Sequence, residues 1–427
     1  MRIIKYNKNN FYKLFNSFVE KRNINKNLGI KKNVTQIIND VKKNGDNALI
    51  KYTKKFDNII INKKKIKLRY SQFKSNTHIN SETLKSFKKA IRNISNFHKR
   101  QLPKTIFQNQ NGIKLSSQWR PIDSVGLYVP GGQAFYPTSL IMNAVPAIIA
   151  GVKRIVCVTP PSKIINPYFI SLLKILGIKE TYLVGGAQAI AALGIGTETI
   201  RTVNKIFGPG NAYVAEAKKQ LFGEVGIDLI AGPSEIIVVA NNKNNPNWVA
   251  ADLMAQAEHD INAQSILITD NRQFAKNVLK SIKNLSVNIS KKNIIYKSLN
   301  NNGLIVIVDN INDSADIINF VAPEHLHLHI KNYNKLFPKI RNAGGIFLGE
   351  YSTEAYGDYI VGTNHVLPTS GAAKFSSGLG VLDFMKRNSV VEMTAKSSEI
   401  LSTDTQRLAK IEGLDAHHLS VKIRQTK

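Results

Sequence analysis

The chain has 427 residues, 43% of them hydrophobic and 21% charged, with one cysteine and a formal net charge of +30. That composition excludes a disordered chain, a disulfide framework and a zinc site built on thiolates, and no window approaches the roughly 20 apolar residues of a membrane helix. Residues 1–120 hold 29 Lys and Arg against 5 Asp and Glu, in unpatterned runs such as Lys63-Lys64-Lys65 without interleaved aromatics, which points to solvated faces and away from a nucleic-acid surface.

The first 120 residues read mostly helical. Val34 to Phe56 places Ile37, Ile38, Val41, Ala48, Leu49 and Tyr52 at helical spacing with a break near Gly45. Ser81 to His98 repeats the pattern, with Ser81 as the expected N-cap and Pro103 closing the helix. The opening residues, MRIIKYNKNN, lack the apolar core of a signal peptide, so a cytoplasmic setting is expected.

From about residue 121, short β-branched runs alternate with helical patterns. Strands are expected at Val125–Val129, Arg154–Thr159, Thr181–Val184, Lys205–Phe207, Ile236–Ala240, Ser265–Thr269, Leu304–Val308, Leu326–Ile330 and Gly345–Leu348. Their alternation with helices predicts an α/β fold of two mostly parallel-sheet units. From Met385 on no strand is expected. Thr403-x-x-Gln406 has the form of a capping box opening a helix with Leu408, Ile411 and Leu414 on one face. A helix of that length cannot bury its apolar face alone, so it should pack on the main body or on another subunit.

Chemistry gathers in two patterns. Seven of the nine histidines lie between 259 and 418, several beside a carboxylate or amide, as in Gln256-Ala-Glu-His259-Asp260 and Glu324-His325. Histidine nitrogen with Asp or Gln oxygen suits zinc, and Gln256 and His259, three apart, share a helix face. His325, His327 and His329 would share one face of a strand; His327 and His329 are assigned to its outer face, and His325, preceded by Pro323-Glu324, to a site. Glycine clusters at Tyr128-Val-Pro-Gly-Gly132, Val184-Gly-Gly-Ala-Gln188, Phe207-Gly-Pro-Gly-Asn211 and Ala231-Gly-Pro-Ser234 suggest one crevice at the carboxyl ends of strands, where backbone amides approach phosphate. None is the GxGxxG fingerprint. Cys157 lies mid-strand, a packing position.

These residues resemble the histidinol dehydrogenase family over nearly the whole length. The motifs are Gly126-Leu-Tyr-Val-Pro-Gly-Gly132, Val184-Gly-Gly-Ala-Gln-Ala-Ile-Ala-Ala192, Lys205-Ile-Phe-Gly-Pro-Gly-Asn211, Ala231-Gly-Pro-Ser-Glu235, Asp252-Leu-Met-Ala-Gln-Ala-Glu-His259, Ala322-Pro-Glu-His-Leu326, Gly357-Asp358 through His365 to Thr369, and Glu412-Gly-Leu-Asp-Ala-His417. A departure adjoining the site is His327, where the family often has Glu. The resemblance implies NAD-dependent oxidation of L-histidinol, through L-histidinaldehyde, to L-histidine, with one zinc per subunit.

It further implies zinc ligands Gln256, His259, Asp358 and His417, the last from the partner of a homodimer with shared sites. Ser234, His325, His365 and Glu412 would contact substrate beside those four ligands, and Tyr128, Gln188 and Asn211 would line the NAD site. Residues 25–125 and 237–380 would form the zinc-bearing α/β domain and 126–236 the NAD-binding one, each Rossmann-like. They would be flanked by a small helical arm (1–24) and a dimerising tail (381–427). Removing two hydrides in sequence needs a base for the hydroxyl proton, assigned to His325, and activation of water at the aldehyde, assigned to Glu324. Two rival readings are a thiohemiacetal on Cys157 and a nonenzymatic basic binding protein.

Overall fold

The computed structural model describes residues 1–7, 15–16, 18, 28–69, 79–131, 136–162, 165–230 and 232–425; Gly132 and Ala231 of the glycine motifs lie outside them. In chain order the strands are β1 (Arg2–Lys5), β2 (Ile106–Gln110), β3 (Ile113–Pro121), β4 (Ser124–Tyr128), β5 (Arg154–Thr159), β6 (Glu180–Leu183) and β7 (Lys205–Phe207). They continue with β8 (Gly226–Ile227), β9 (Glu235–Val239), β10 (Gln264–Thr269), β11 (Leu304–Ile307), β12 (His325–Leu328), β13 (Gly345–Leu348) and β14 (Met385–Met393). The helices that bear on the site are α1 (Leu28–Asp57), α2 (Ser81–His98), α3 (Gly186–Ile195), α4 (Ala212–Leu221), α5 (Pro246–Ala257), α6 (Glu354–Tyr359), α7 (Ala395–Ile411) and α8 (Asp415–Lys422).

Two open parallel sheets form the body. One has the order β1-β11-β10-β9-β12-β13, the other β6-β5-β4-β7-β8. The α/β class read from the sequence is therefore the observed one. Strands such as Glu235-Ile-Ile-Val-Val239 are buried along their whole length because helices cover both faces of a parallel sheet. Alternate residues feed two cores: Ile237, Val239, Ile266 and Leu326 on one side, Ile236, Val238, Leu267 and Ile305 on the other. Helix α1, kinked at Gly45 (φ 49°), buries Val34, Ile37, Val41 and Leu49 against α3 and α4 of the five-stranded unit.

Several expectations need correction. Ser81 is the first residue of α2, and its cap is Asn80, whose carboxamide accepts from the Glu82 and Thr83 amides. The region read as mostly helical also holds β2 and β3, and the start of the expected helical arm is strand β1, paired with β11. The stretch from Met385, expected to lack a strand, opens with nine-residue β14, antiparallel to β3 from Met385↔Pro121 to Met393↔Ile113. Neither face of β14 is buried, so no apolar alternation marks it; backbone pairing holds it. Helix α7 begins at Ala395, capped by Thr394 and Ser397, which places Thr403 mid-helix and removes its expected role as a cap.

A buried ion pair fixes the loop after β7. Lys218 and Asp228 stand 2.5 Å apart with side chains 3% exposed. Lys218 also donates to the Gly208 carbonyl (2.6 Å), and Asp228 accepts from the Gly208 amide (2.7 Å). Gly208 has φ +107°, and a Cβ there would meet the Tyr128 carbonyl at 2.1 Å. Lys218→Met, which strands a buried carboxylate, should cost about 3–5 kcal/mol in urea unfolding. Lys85→Met, at the exposed Lys85–Glu82 pair, should stay within about 0.5 kcal/mol. Equal small losses for both would contradict the buried pair.

Candidate active site

A crevice of about 560 Å³ runs between the two sheets. Its walls include Gly208 to Asn211, Ser234, Gln256, His259, Glu324, His325, Asp358 and His365. Its place differs from the one expected at carboxyl ends alone. Gly208–Asn211 follow the carboxyl end of β7, whereas Ser234 and Glu324-His325 stand at the amino ends of β9 and β12 in the other sheet. Gln256 and His259 come from the end of α5, and Asp358 from α6.

His325 is the centre of a buried charge cluster. Its Nδ1 lies 3.2 Å from the Glu235 carbonyl, 3.6 Å from Glu324 Oε2 and 4.0 Å from Glu354 Oε2. Its Nε2 faces Asp358 Oδ1 at 3.6 Å. Burial alone would lower its pKa, but Glu324, Asp358 and Glu354 outweigh burial and hold it up at about 10. Burial pushes Glu324 up to about 7 and Glu354 to about 8, against the pull of His325. Burial would raise Asp358 as well, but its contact with His325 prevails and holds it below its ordinary value. Glu324 also accepts from the Glu235 amide at 3.0 Å.

Glu354 was not found from the sequence. Its signal is its position one helical turn before Asp358, which puts both carboxylates on one face of α6. With its amide oriented to satisfy its neighbours, buried Gln256 donates to Glu354 Oε2 (3.0 Å) and accepts from the Glu235 amide (3.2 Å). His259 stands exposed at the rim, and His365 Nδ1 lies 3.0 Å from the Asp358 carbonyl. Gln256, His259 and Asp358 offer the oxygen and nitrogen donors that zinc takes. Three acids around one imidazole in a buried crevice are also charges that a dication compensates.

The remaining residues fall elsewhere. Asn211 lines the crevice and caps α4, accepting from the Tyr213 and Val214 amides. Tyr128 and Gln188 are buried outside the crevice lining; the Tyr128 hydroxyl accepts from the Gly186 amide at 3.2 Å. Glu412 and His417 are exposed at the end of α7 and on α8, and neither lines the crevice of its own chain. Cys157 is fully buried in β5, and burial pushes its thiol far up, which leaves no thiolate for a thiohemiacetal.

His327 and His329 were assigned to an outer face, and that is corrected: they are 0% and 1% exposed, because helices cover both faces of this sheet. With Asp252 they form a group whose donor atoms lie within 4.8 Å of one another. Asp252 Oδ2 stands 2.6 Å from His329 Nε2 and 3.0 Å from His327 Nδ1. Ligands around a tetrahedral zinc with bonds of 2.0–2.1 Å stand roughly 3.3 Å apart. The His329–Asp252 contact is thus that of hydrogen-bonded partners, and His327 Nδ1 faces the same oxygen without a hydrogen bond. Burial would raise Asp252, but the two imidazoles outweigh it and hold the carboxyl down at about 2.

In metal-free protein His325 should stay charged as pH rises well past 6.5 and lose its proton toward about 10. Glu324→Gln should lower that titration, since it removes the largest of the raising charges. Imidazole NMR shifts followed against pH check both; an ordinary titration near 6.5 in the unaltered protein would contradict the charge cluster.

The family model described as histidinol dehydrogenase matches residues 20–425. The chain is 48% identical over 398 residues to the histidinol dehydrogenase of Rhodospirillum rubrum, covering 92% of each chain. It is 46% identical over 420 residues to that of Clostridium acetobutylicum, covering 96% of each. Its fold is similar to the crystal structure of histidinol dehydrogenase from Elizabethkingia anophelis, with a TM-score of 0.92 and 34% identity over 100% of this chain and 98% of that one.

Proposed function

This chain belongs to the histidinol dehydrogenase family, and on that premise we propose how its crevice carries out the family's reaction. The reaction is the NAD-dependent oxidation of histidinol at its CH–OH group, the last step of histidine biosynthesis, in a family that depends on zinc. The observation that carries the residue assignment is the meeting of Gln256, His259, Asp358, Glu324 and His325 around one crevice.

Gln256, His259 and Asp358 would hold zinc, which would supply Lewis acidity for positioning the substrate. His325, at the amino end of β12, takes the hydroxyl proton in each oxidation through Nε2, the nitrogen that faces Asp358. A neutral imidazole is required for that, and a dication at the neighbouring donors opposes the carboxylates that otherwise keep His325 charged. Glu324, poised at about 7, takes a proton from the water that adds to the aldehyde. Ser234 and His365 orient the substrate, and Tyr128, Gln188 and Asn211 belong to the dinucleotide end. NAD exchanges while the aldehyde stays in place.

The site of one chain lacks His417 and Glu412. A homodimer supplies them, with the partner subunit's His417 as the fourth zinc ligand. The tail supports this: Ile400, Leu408, Ile411 and Leu419 on α7 and α8 are 55–77% exposed, an apolar face left open by the described residues of its own chain. No helix among the described residues is long and apolar enough to cross a membrane, and we place the enzyme in the cytoplasm. The division into 25–125 with 237–380, 126–236 and a tail from 381 is retained with one change. The packing of α1 on α3 and α4 supports moving residues 28–57 to the NAD-binding unit.

The test separates the half-reactions. Glu324→Gln should slow aldehyde oxidation about 100-fold or more and alcohol oxidation far less, whereas His325→Asn should slow both. In the unaltered enzyme aldehyde oxidation should fall toward acid pH as Glu324, whose pKa burial raises, gains a proton, and Glu324→Gln should lose that limb. Equal losses in both steps for Glu324→Gln would remove it from water activation.

A further inference from the structure

We propose that Asp252, hydrogen-bonded to His329 and Thr353 and facing His327, is a polar brace that sets the spacing of the zinc ligands; this rests on the ligand set proposed above. Asp252 is 7% exposed and lies on α5 one turn before Gln256. Its Oδ2 is hydrogen-bonded to His329 Nε2 at 2.6 Å and faces His327 Nδ1 at 3.0 Å, and its Oδ1 accepts from the Thr353 hydroxyl at 2.9 Å. Thr353 is the residue from which α6 starts, five before Asp358. His327 lies two residues beyond His325 on β12, and its Nε2 stands 2.9 Å from the Gly349 carbonyl. One carboxylate therefore ties three elements: α5, which delivers Gln256, the start of α6, which delivers Asp358, and the far end of β12, whose amino end delivers His325. None of the brace residues lines the crevice, so none is a catalytic residue; they act by position.

Packed side chains elsewhere could hold the same elements together, but the brace is polar and buried. Removing one arm leaves unpaired polar atoms, and the elements must shift to satisfy them. A ligand pair displaced by a few tenths of an ångström binds zinc less tightly, because its bond lengths tolerate little change. The brace thus predicts an effect on metal affinity at residues that touch no metal.

The test is zinc affinity of the full-length protein by competition with a chromogenic chelator, with stoichiometry and thermal stability measured alongside. Asp252→Asn and the milder Thr353→Val should each keep one zinc per chain and weaken it about tenfold or more, the size of outer-shell effects. Gln256→Ala serves as the reference ligand loss. Unchanged affinity in Thr353→Val and Asp252→Asn, with Gln256→Ala weakened, overturns the brace and leaves the ligand set standing, even if both variants melt earlier. Unchanged affinity in Gln256→Ala overturns the ligand set and the brace that serves it. Two zinc ions per chain, one lost in His327→Gln, would make the cluster a metal site and overturn the brace. If Asp252→Asn does not fold, Thr353→Val alone decides.

Discussion

Three carboxylates, from Glu324, Glu354 and Asp358, surround one imidazole in a crevice from which water is largely removed. Burying like charges is costly, and here the cost appears as carboxyls raised to about 7 and about 8 beside a histidine held near 10. A dication at neighbouring donors would offset those charges without protons. In our account Gln256, His259 and Asp358 would hold that dication, and a zinc ion held by three donors of one chain would still have a coordination position to fill. The partner subunit's His417 fills it in our account, so the electrostatics of the crevice and the assembly of the protein become one problem.

The fold answers that problem by meeting edges. Parallel strands β9 and β12, buried on both faces, bring Ser234, Glu324 and His325 together at their amino ends in the six-stranded sheet. The loop after β7, clamped by Lys218 and Asp228, faces them from the five-stranded sheet. Helices α5 and α6 close the side, tied through Asp252 and Thr353. Strand β14 then runs along β3 into a helical tail whose Ile400, Leu408, Ile411 and Leu419 stay exposed among the described residues.

Much of this was legible in the sequence, and for identifiable reasons. Strands β4 to β7 and β9 to β13 were found within a residue or two because buried parallel strands read as β-branched runs. Strands β2, β3 and β14 were missed because β2 and β14 are exposed and β3 is half-buried on both faces, so none carries an apolar alternation. The crevice residues were legible because their motifs recur in a recognisable order. Glu354 was not, since a glutamate in Thr353-Glu-Ala-Tyr356 looks like an ordinary first-turn acid on a helix. The burial of His327 and His329 was invisible for the opposite reason. Alternation tells which residues share a face, and only the packing of helices on both sides of the sheet tells that no face is solvated.

The shared site is the central claim, and subunit complementation tests it most directly. His259→Ala and His417→Ala, each purified as an inactive protein, are mixed in equal amounts, allowed to exchange subunits, and assayed, with mixed dimers counted by native mass. A ligand supplied across a two-fold interface makes one intact and one doubly broken site in each mixed dimer, so about a quarter of all sites regain activity at statistical exchange. Activity that stays at the level of the separate variants, with mixed dimers present, would put His417 in the site of its own chain and contradict the account.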